Sequence, residues 1–440
     1  MSQITRAAQP LNTALRSQYI FTNEVRTANP LGVEPISITR DRTTFIGAVR
    51  GAAYATGLYA MPGDSSAAVL IKTMPNKVTA FTETTDGEAL CSTITSGGSC
   101  IVYRSTGWGA TLAQKQAATW TQVVTLPGSQ GTLPDYSMGL FAMSQVGSQN
   151  IMALSDQGST ALATTATGDN AADNATAIAN NVTRAVHGYI TVDGGQNFIE
   201  LVNLLKISPT KEPRQIVGVH IHSFVYDAEW DRFWLTYGDY SVGNQGTNLF
   251  GDSAMQLIYC DDWRNVLTGG VATWTAVPFP PDYSIASFVQ FVNIRITPKA
   301  MIFATDGSPY GICTFQRTGY RTLGKFRNEN FLSNTEPNTG IIGRETVQAG
   351  PGLPLFSGQS VNNIRSFDGN TPKIGCSHDD GVQFYEIWSD PNRVRRVSDK
   401  VVAYGPDINN KVIAVTMDTM GGTRPQGSVI SWTLSGPVTI

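Results

Sequence analysis

Thr191-Val192-Asp193-Gly194-Gly195-Gln196-Asn197-Phe198 decides the fold, because its spacing returns at Ser377-His378-Asp379-Asp380-Gly381-Val382-Gln383-Phe384. Both stretches fit Ser/Thr-x-Asp-x-Gly-x-x-Phe, and each stands between two strand-like runs. A carboxylate two residues past a strand accepts backbone N–H bonds within its own turn. Glycine two residues further on supplies the positive φ that closes the hairpin. The aromatic residue opens the next strand and packs beneath the turn. The spacing therefore predicts aspartates that hold turns rather than aspartates that react.

Strand-like runs recur outward from these turns, from about residue 44 to the end of the chain. Cys100–Ser105, His187–Val192, Gly218–Tyr226, Arg232–Tyr237, Ala300–Thr305 and Ser428–Leu434 are rich in Val, Ile, Thr, Tyr, Phe and Trp, and many of the runs alternate, as Ile199 and Leu201 do with Glu200. Short strands at regular spacing indicate a sandwich, barrel or propeller. Two internal copies point to repetition. Ala118-Thr-Trp120-Thr with Pro134-Asp-Tyr-Ser137 is echoed by Ala272-Thr-Trp274-Thr with Pro281-Asp-Tyr-Ser284. Weaker relatives of the opening turn are Ser366-Phe-Asp368, Leu154-Ser-Asp156, Tyr259-Cys-Asp261 before Trp274, and Thr305-Asp306-Gly307. Ser105-Thr-Gly107-Trp-Gly109 reads as a turn that has lost its aspartate.

Only 15% of the 440 residues are charged, against 41% hydrophobic, and the net charge is −3. Such a chain builds many turns and few long solvated helices. Its charge argues against sequence-specific nucleic-acid binding as the main task, and no apolar run is long enough for a membrane span. The first ten residues lack the apolar run of a secretory signal, so an exterior setting reached by another route is expected. Five cysteines cannot all pair, and the Gly97-Gly98 turn places Cys91 opposite Arg104 rather than Cys100, so free buried thiols are expected.

The two full turns resemble the Asp-box, or BNR repeat, of sialidase-like β-propellers. The resemblance implies an all-β propeller of four-stranded antiparallel blades, with Thr191, Asp193, Gly195, Phe198, Ser377, Asp379, Gly381 and Phe384 as structural box residues on the face away from any ligand. Box-like positions near 107, 156, 193, 261, 306 and 379 favour six blades, with seven or five open. Residues 1–45 read as an N-terminal arm or closure segment and 46–440 as one propeller domain, with insertions near 161–180 and 325–347. The run from His220 through His222 to Tyr237 and Asp239 is similar to a His-x-His strand, hairpin and Gly-Asp ending in such propellers. It supplies a candidate ligand face; packing as a polar pair or sharing a metal are the other readings of the two histidines. Trp108, Trp230 and Trp263, beside Gly or Asp, are candidates for stacking on sugars or for packing.

Sialidase chemistry would need an arginine triad, and the first arginine belongs in an Arg-Ile-Pro-like strand that this chain lacks. No catalytic residue, metal or cofactor is assigned. The expected role is a non-catalytic virion protein, a phage tail nozzle, hub or host-recognition part. Its partners would be other tail proteins, copies of itself and a host surface glycan. The alternative is an extracellular glycan-binding or glycan-cleaving enzyme of the sialidase type.

Overall fold

A strand that alternates between two kinds of side chain has two faces to bury, and the computed structural model pairs such strands throughout. It describes residues 17–29, 31–49, 56–64, 66–95, 99–126, 139–140, 144–146, 149–155, 187–203, 220–238, 257–277, 291–305, 312–329, 355–360, 373–377, 379–381, 384–389, 400–401, 403–416 and 428–439. The first strand, β1 (Ser17–Ala28), belongs to the last sheet. Sheet I holds β2 (Val33–Ile38), β3 (Phe45–Val49), β4 (Gly57–Met61) and β5 (Val69–Thr73). Sheet II holds β6 (Lys77–Glu83), β7 (Ala89–Ile94), β8 (Cys100–Thr106) and, after helix α1 (Leu112–Ala117), β9 (Thr119–Leu126). In sheet III, β10 (Gly139–Leu140) and β11 (Ser144–Val146) both pair with β12 (Gln149–Ser155), which leads to β13 (His187–Thr191) and β14 (Ile199–Asn203).

Sheet IV holds β15 (His220–Asp227), β16 (Arg232–Gly238), β17 (Leu257–Cys260) and, after a 3-10 helix (Trp263–Thr268), β18 (Thr275–Ala276). Sheet V holds β19 (Phe291–Ile296), β20 (Ala300–Thr305), β21 (Ile312–Arg317) and β22 (Leu323–Glu329). Sheet VI runs β23 (Leu355–Ser360), β24 (Lys373–Ser377), β25 (Tyr385–Ser389), with β26 (Lys400–Val401) added beyond β23. Sheet VII runs β27 (Ala403–Tyr404), β28 (Lys411–Thr416), β29 (Ser428–Thr439), with β1 outermost. The paired strands are antiparallel, as at Ser17↔Thr439 and Val412↔Trp432.

Among the described residues the buried apolar side chains fall into seven clusters, each lying between two neighbouring sheets. The sheets therefore close a ring. Strand β28 shows why alternation achieves this: Val412 and Ala414 pack toward sheet VI, while Ile413 and Val415 pack toward sheet I. The fold is an all-β propeller of four-stranded antiparallel blades.

Six blades, favoured by counting turns, is corrected by the sheets. Five of the seven are meanders of strands taken in chain order; sheet VI receives β26 from later in the chain, and sheet VII is completed by β1. The turn count fails for a physical reason. Ser155 and Thr191 end the second and third strands of sheet III, so counting both Asp156 and Asp193 counts that sheet twice. Sheets I and VII carry no box-like turn between their third and fourth strands and are missed. β2 already lies within the 1–45 segment, and β22 takes in the start of the 325–347 insertion. Residues 161–180 lie outside the described residues.

The internal repeat has a structural phase. Trp120 and Trp274 stand at the head of the fourth strands of sheets II and IV, each after a helical connection. Trp108 and Trp263 enter those connections, three residues past Ser105 and Cys260. Each then donates its indole N–H to a carboxylate of its own sheet's first hairpin: Trp108 to Glu83 at 2.7 Å, Trp263 to Asp231 at 3.2 Å. Each ring also carries a cation, Lys115 at 5.5 Å and Arg264 at 4.1 Å. The Pro-Asp-Tyr-Ser halves lie outside the described residues.

Candidate functional site at the tight-turn face

In a four-stranded meander the first-to-second and third-to-fourth hairpins leave from the same edge. One face of the ring therefore gathers both sets of turns. At Thr191 the hydroxyl donates to Asp193 Oδ1 at 2.8 Å and accepts the Gly195 amide at 3.0 Å. Asp193 Oδ1 also accepts the amides of Gln196 and Asn197, both at 3.0 Å. Ser377 repeats the arrangement with Asp379 at 2.8 Å and the Gly381 amide at 2.9 Å. Gly195 has φ +84°, and a Cβ there would stand 2.6 Å from Leu90 of sheet II, so glycine is required twice over. Phe198 and Phe384 pack across to sheets II and V, against Leu90 and against Ala300 with Ile302.

The degenerate turns keep the geometry with other atoms. In sheet IV the turn starts one residue later than expected: the Cys260 thiol donates to Asp262 Oδ1 at 3.2 Å, in place of a hydroxyl. Asp262 then accepts the Thr273 amide at 2.8 Å. In sheet II the missing aspartate is replaced from the neighbouring strand. Glu88 accepts the Ser105 hydroxyl at 2.8 Å and the amides of Gly107 and Trp108 at 3.0 and 3.2 Å. Sequence reading missed the same device in two first hairpins, where Thr39 donates to Asp41 at 2.6 Å and Thr84 donates to Asp86. A Ser/Thr-x-Asp spacing without the later glycine and aromatic was the available signal.

Burial alone would push the Asp193 carboxyl up. Hydrogen bonds from Asn197, Thr191 and Gln196 outweigh it and hold the carboxyl below its ordinary value.

Charged side chains at these turns reach the next sheet. Arg42 of sheet I donates to the carbonyls of Pro406 and Asp407 in sheet VII, at 2.7 and 2.9 Å. Arg104 of sheet II bonds Asp86 and reaches the Gly194 carbonyl of sheet III at 3.2 Å. Arg317 of sheet V binds Asp227 of sheet IV through Nη2 at 2.9 and 2.8 Å, with both side chains nearly sealed from solvent. Arg321 of sheet V donates to the Trp230 carbonyl of sheet IV. Thr297 of sheet V donates to the Asp380 carbonyl of sheet VI at 2.7 Å, beside the Lys299–Asp380 ion pair at 3.1 Å.

The candidate stacking tryptophans are corrected by burial. Trp108, Trp230 and Trp263 expose 8%, 4% and 0% of their surface, so none presents a face to a sugar. Trp230 instead packs with the guanidinium groups of Arg317, at 4.3 Å, and Arg232, at 5.5 Å. Tyr237 is fully buried in the core between sheets III and IV and offers nothing to a ligand. His222 is half-buried, with Nδ1 3.3 Å from the Phe291 carbonyl of sheet V. It is also the extra residue of a bulge between Ile221 and Ser223, which breaks the alternation that would align it with His220. Ile36 and Thr79 are likewise extra residues of bulges in the first strands of sheets I and II. The His220 side chain and Asp239 lie outside the described residues. Among the described residues no group of three His, Cys, Asp or Glu is placed to hold a metal, and no helix is long and apolar enough to cross a membrane. The five cysteines are free and buried. Cys91 pairs with Tyr103 and Cys100 with Ile94, one residue from the expected register.

No protein-family model matches the chain, and no curated protein matches it. Solved structures match over most of this chain at low identity and TM-scores below 0.5. The Cps50 (Swd1) β-propeller domain of Myceliophteria thermophila is 9% identical, with a TM-score of 0.46, covering 94% of this chain and 100% of that one. The polysaccharide lyase Uly1 is 8% identical, with a TM-score of 0.46, covering 94% and 99%. The α-L-arabinofuranosidase Arb93A of Fusarium graminearum is 11% identical, with a TM-score of 0.42, covering 86% and 98%. These likenesses concern fold alone, and the fold itself rests on the sheets: this chain is an all-β propeller of four-stranded antiparallel blades.

Proposed function

We propose that the chain is a non-catalytic structural part of an assembled particle, an Asp-box propeller of the sialidase-like type serving in a phage tail. The observation that carries this reading is the employment of the charged groups on the tight-turn face. Here Asp227, Asp86, Arg42, Arg104 and Arg317 are engaged within turns or with neighbouring sheets. A ring tied at its rim resists distortion, which suits a conduit or hub. The low share of charged residues, 15%, supports an exterior, assembly-bound surface.

Partners under this reading are other tail proteins and copies of the chain itself, with a host glycan if the position is a tip. Native mass measurement and electron microscopy of the purified protein test it, and a symmetric ring indifferent to glycans is expected. Specific retention on a glycan array moves the assignment from nozzle or hub to host recognition. Cleavage of a fluorogenic sialoside overturns the non-catalytic reading.

A further inference from the structure

Strand β1 reaches its sheet from the far end of the chain, and beside its ladder with β29 a few side chains tie it to the ring. Phe21 stacks on Trp432 with centroids 4.7 Å apart and planes 12° apart. The Tyr19 amide donates to the Tyr385 hydroxyl of sheet VI at 2.8 Å. Glu24 Oε2 accepts two indole N–H groups, from Trp388 of sheet VI at 2.9 Å and from Trp432 of sheet VII at 3.1 Å. Its other oxygen accepts Arg26 Nε at 2.7 Å, and the Arg26 guanidinium lies 5.9 Å from the centre of the Trp388 ring. One carboxylate thus pins two sheets together. Around these pins the ladder is interrupted. Register shifts fall between Gln18 and Ile20 and between Thr22 and Val25, and Asn23 has φ +55°. Ile20 and Val25 remain exposed.

We propose that β1 is a releasable strap, pinned by Glu24, that detaches from β29 and sheet VI as a unit while the other sheets stay folded. This goes beyond the structural role proposed above and stands without it. No described side chain of β1 is fully buried, and its ladder is interrupted twice, which defines a segment that opens locally, below the free energy of global unfolding. The charged and titratable groups nearby are Tyr19 and Arg26 on β1, Tyr385 and Glu386 on β25, and Lys411 on β28, whose Nζ is engaged by Thr433 at 2.9 Å. β29 contributes none. Burial pushes the Glu24 carboxyl up, but the bonds from Arg26, Trp388 and Trp432 hold it below its ordinary 4.5. The pin is therefore fully present above that value and is lost as pH falls through the folded-state value.

Hydrogen–deuterium exchange on the full chain tests the strap, comparing the wild type, Glu24→Gln and Trp388→Phe at neutral and acid pH. For Glu24→Gln at neutral pH, amides of residues 17–28 are expected to exchange at least ~10-fold faster, with sheets I to V unchanged, from loss of a charge-assisted hydrogen bond. Acid should loosen the same residues in the wild type and have little further effect in Glu24→Gln. Unchanged exchange in β1, or simultaneous loss of protection in all sheets, overturns the proposal. If Glu24→Gln does not fold, Trp388→Phe decides, since it removes the sheet VI donor and keeps an aromatic ring in the core. Loosening confined to residues 17–28 supports the strap; loosening spread over all sheets, or none, overturns it.

Discussion

Asp193 illustrates how much one side chain does in a tight turn. It accepts from a hydroxyl and two backbone amides, so Asp193→Ala is expected to cost about 1–2 kcal/mol, as other side-chain-to-backbone caps do. A thermal melt at neutral pH measures it, and a curve superimposable on the wild type contradicts the role. Because the folded carboxyl titrates below its ordinary 3.8, its contribution is present above that value and is lost as pH falls. The variant and the wild type should therefore converge in stability in strong acid. This residue was legible in the sequence because hydroxyl, carboxylate, glycine and aromatic all come from one short stretch. Cys260 was misplaced by one residue because a thiol fills the hydroxyl position, and no sequence pattern built on Ser or Thr detects that exchange. Trp108, Trp230 and Trp263 were misjudged because adjacency to Gly or Asp indicates a turn, not exposure.

The third-to-fourth connection of sheet II draws its carboxylate from a different strand. Glu88 sits ahead of β7, yet it holds Ser105, Gly107 and Trp108. Glu88→Ala is expected to destabilise the fold by ~1–3 kcal/mol through unpaired amides. Exchange of the 105–108 amides should rise more than that of β6, and equal protection in the variant would show that Glu88 is dispensable. Between sheets IV and V the stakes are higher. Asp227→Ala leaves the Arg317 charge buried and the indole N–H of Trp234, bonded at 3.2 Å, without its acceptor. Losing one partner of a buried pair costs ~3–5 kcal/mol, readable as a denaturant midpoint shift. Strands themselves were legible from alternation and composition. The Arg317–Asp227 pair was not, since the two residues stand far apart in the chain and meet only because two sheets are neighbours in the ring.

The ring as a whole was legible as a class and not as a count. Repeated turns announced a propeller, but two of the seven sheets take a strand from outside the meander order, and no local pattern marks a sheet assembled that way. One member of the candidate ligand face was misread at this scale, since Tyr237 is sealed by the packing of sheet III on sheet IV. Closure itself has a mechanical side. Ser17 lies opposite Thr439, and Ala28 lies opposite Ser428. A force applied through the two ends of the described chain would pull at the Ser17–Thr439 end of this ladder and load its hydrogen bonds one after another, as in a zipper. Shear would load them together. A single-molecule pull through both ends should therefore open the seam at low force, before any interior sheet yields, whereas a pull between two interior sheets should meet the packed ring first.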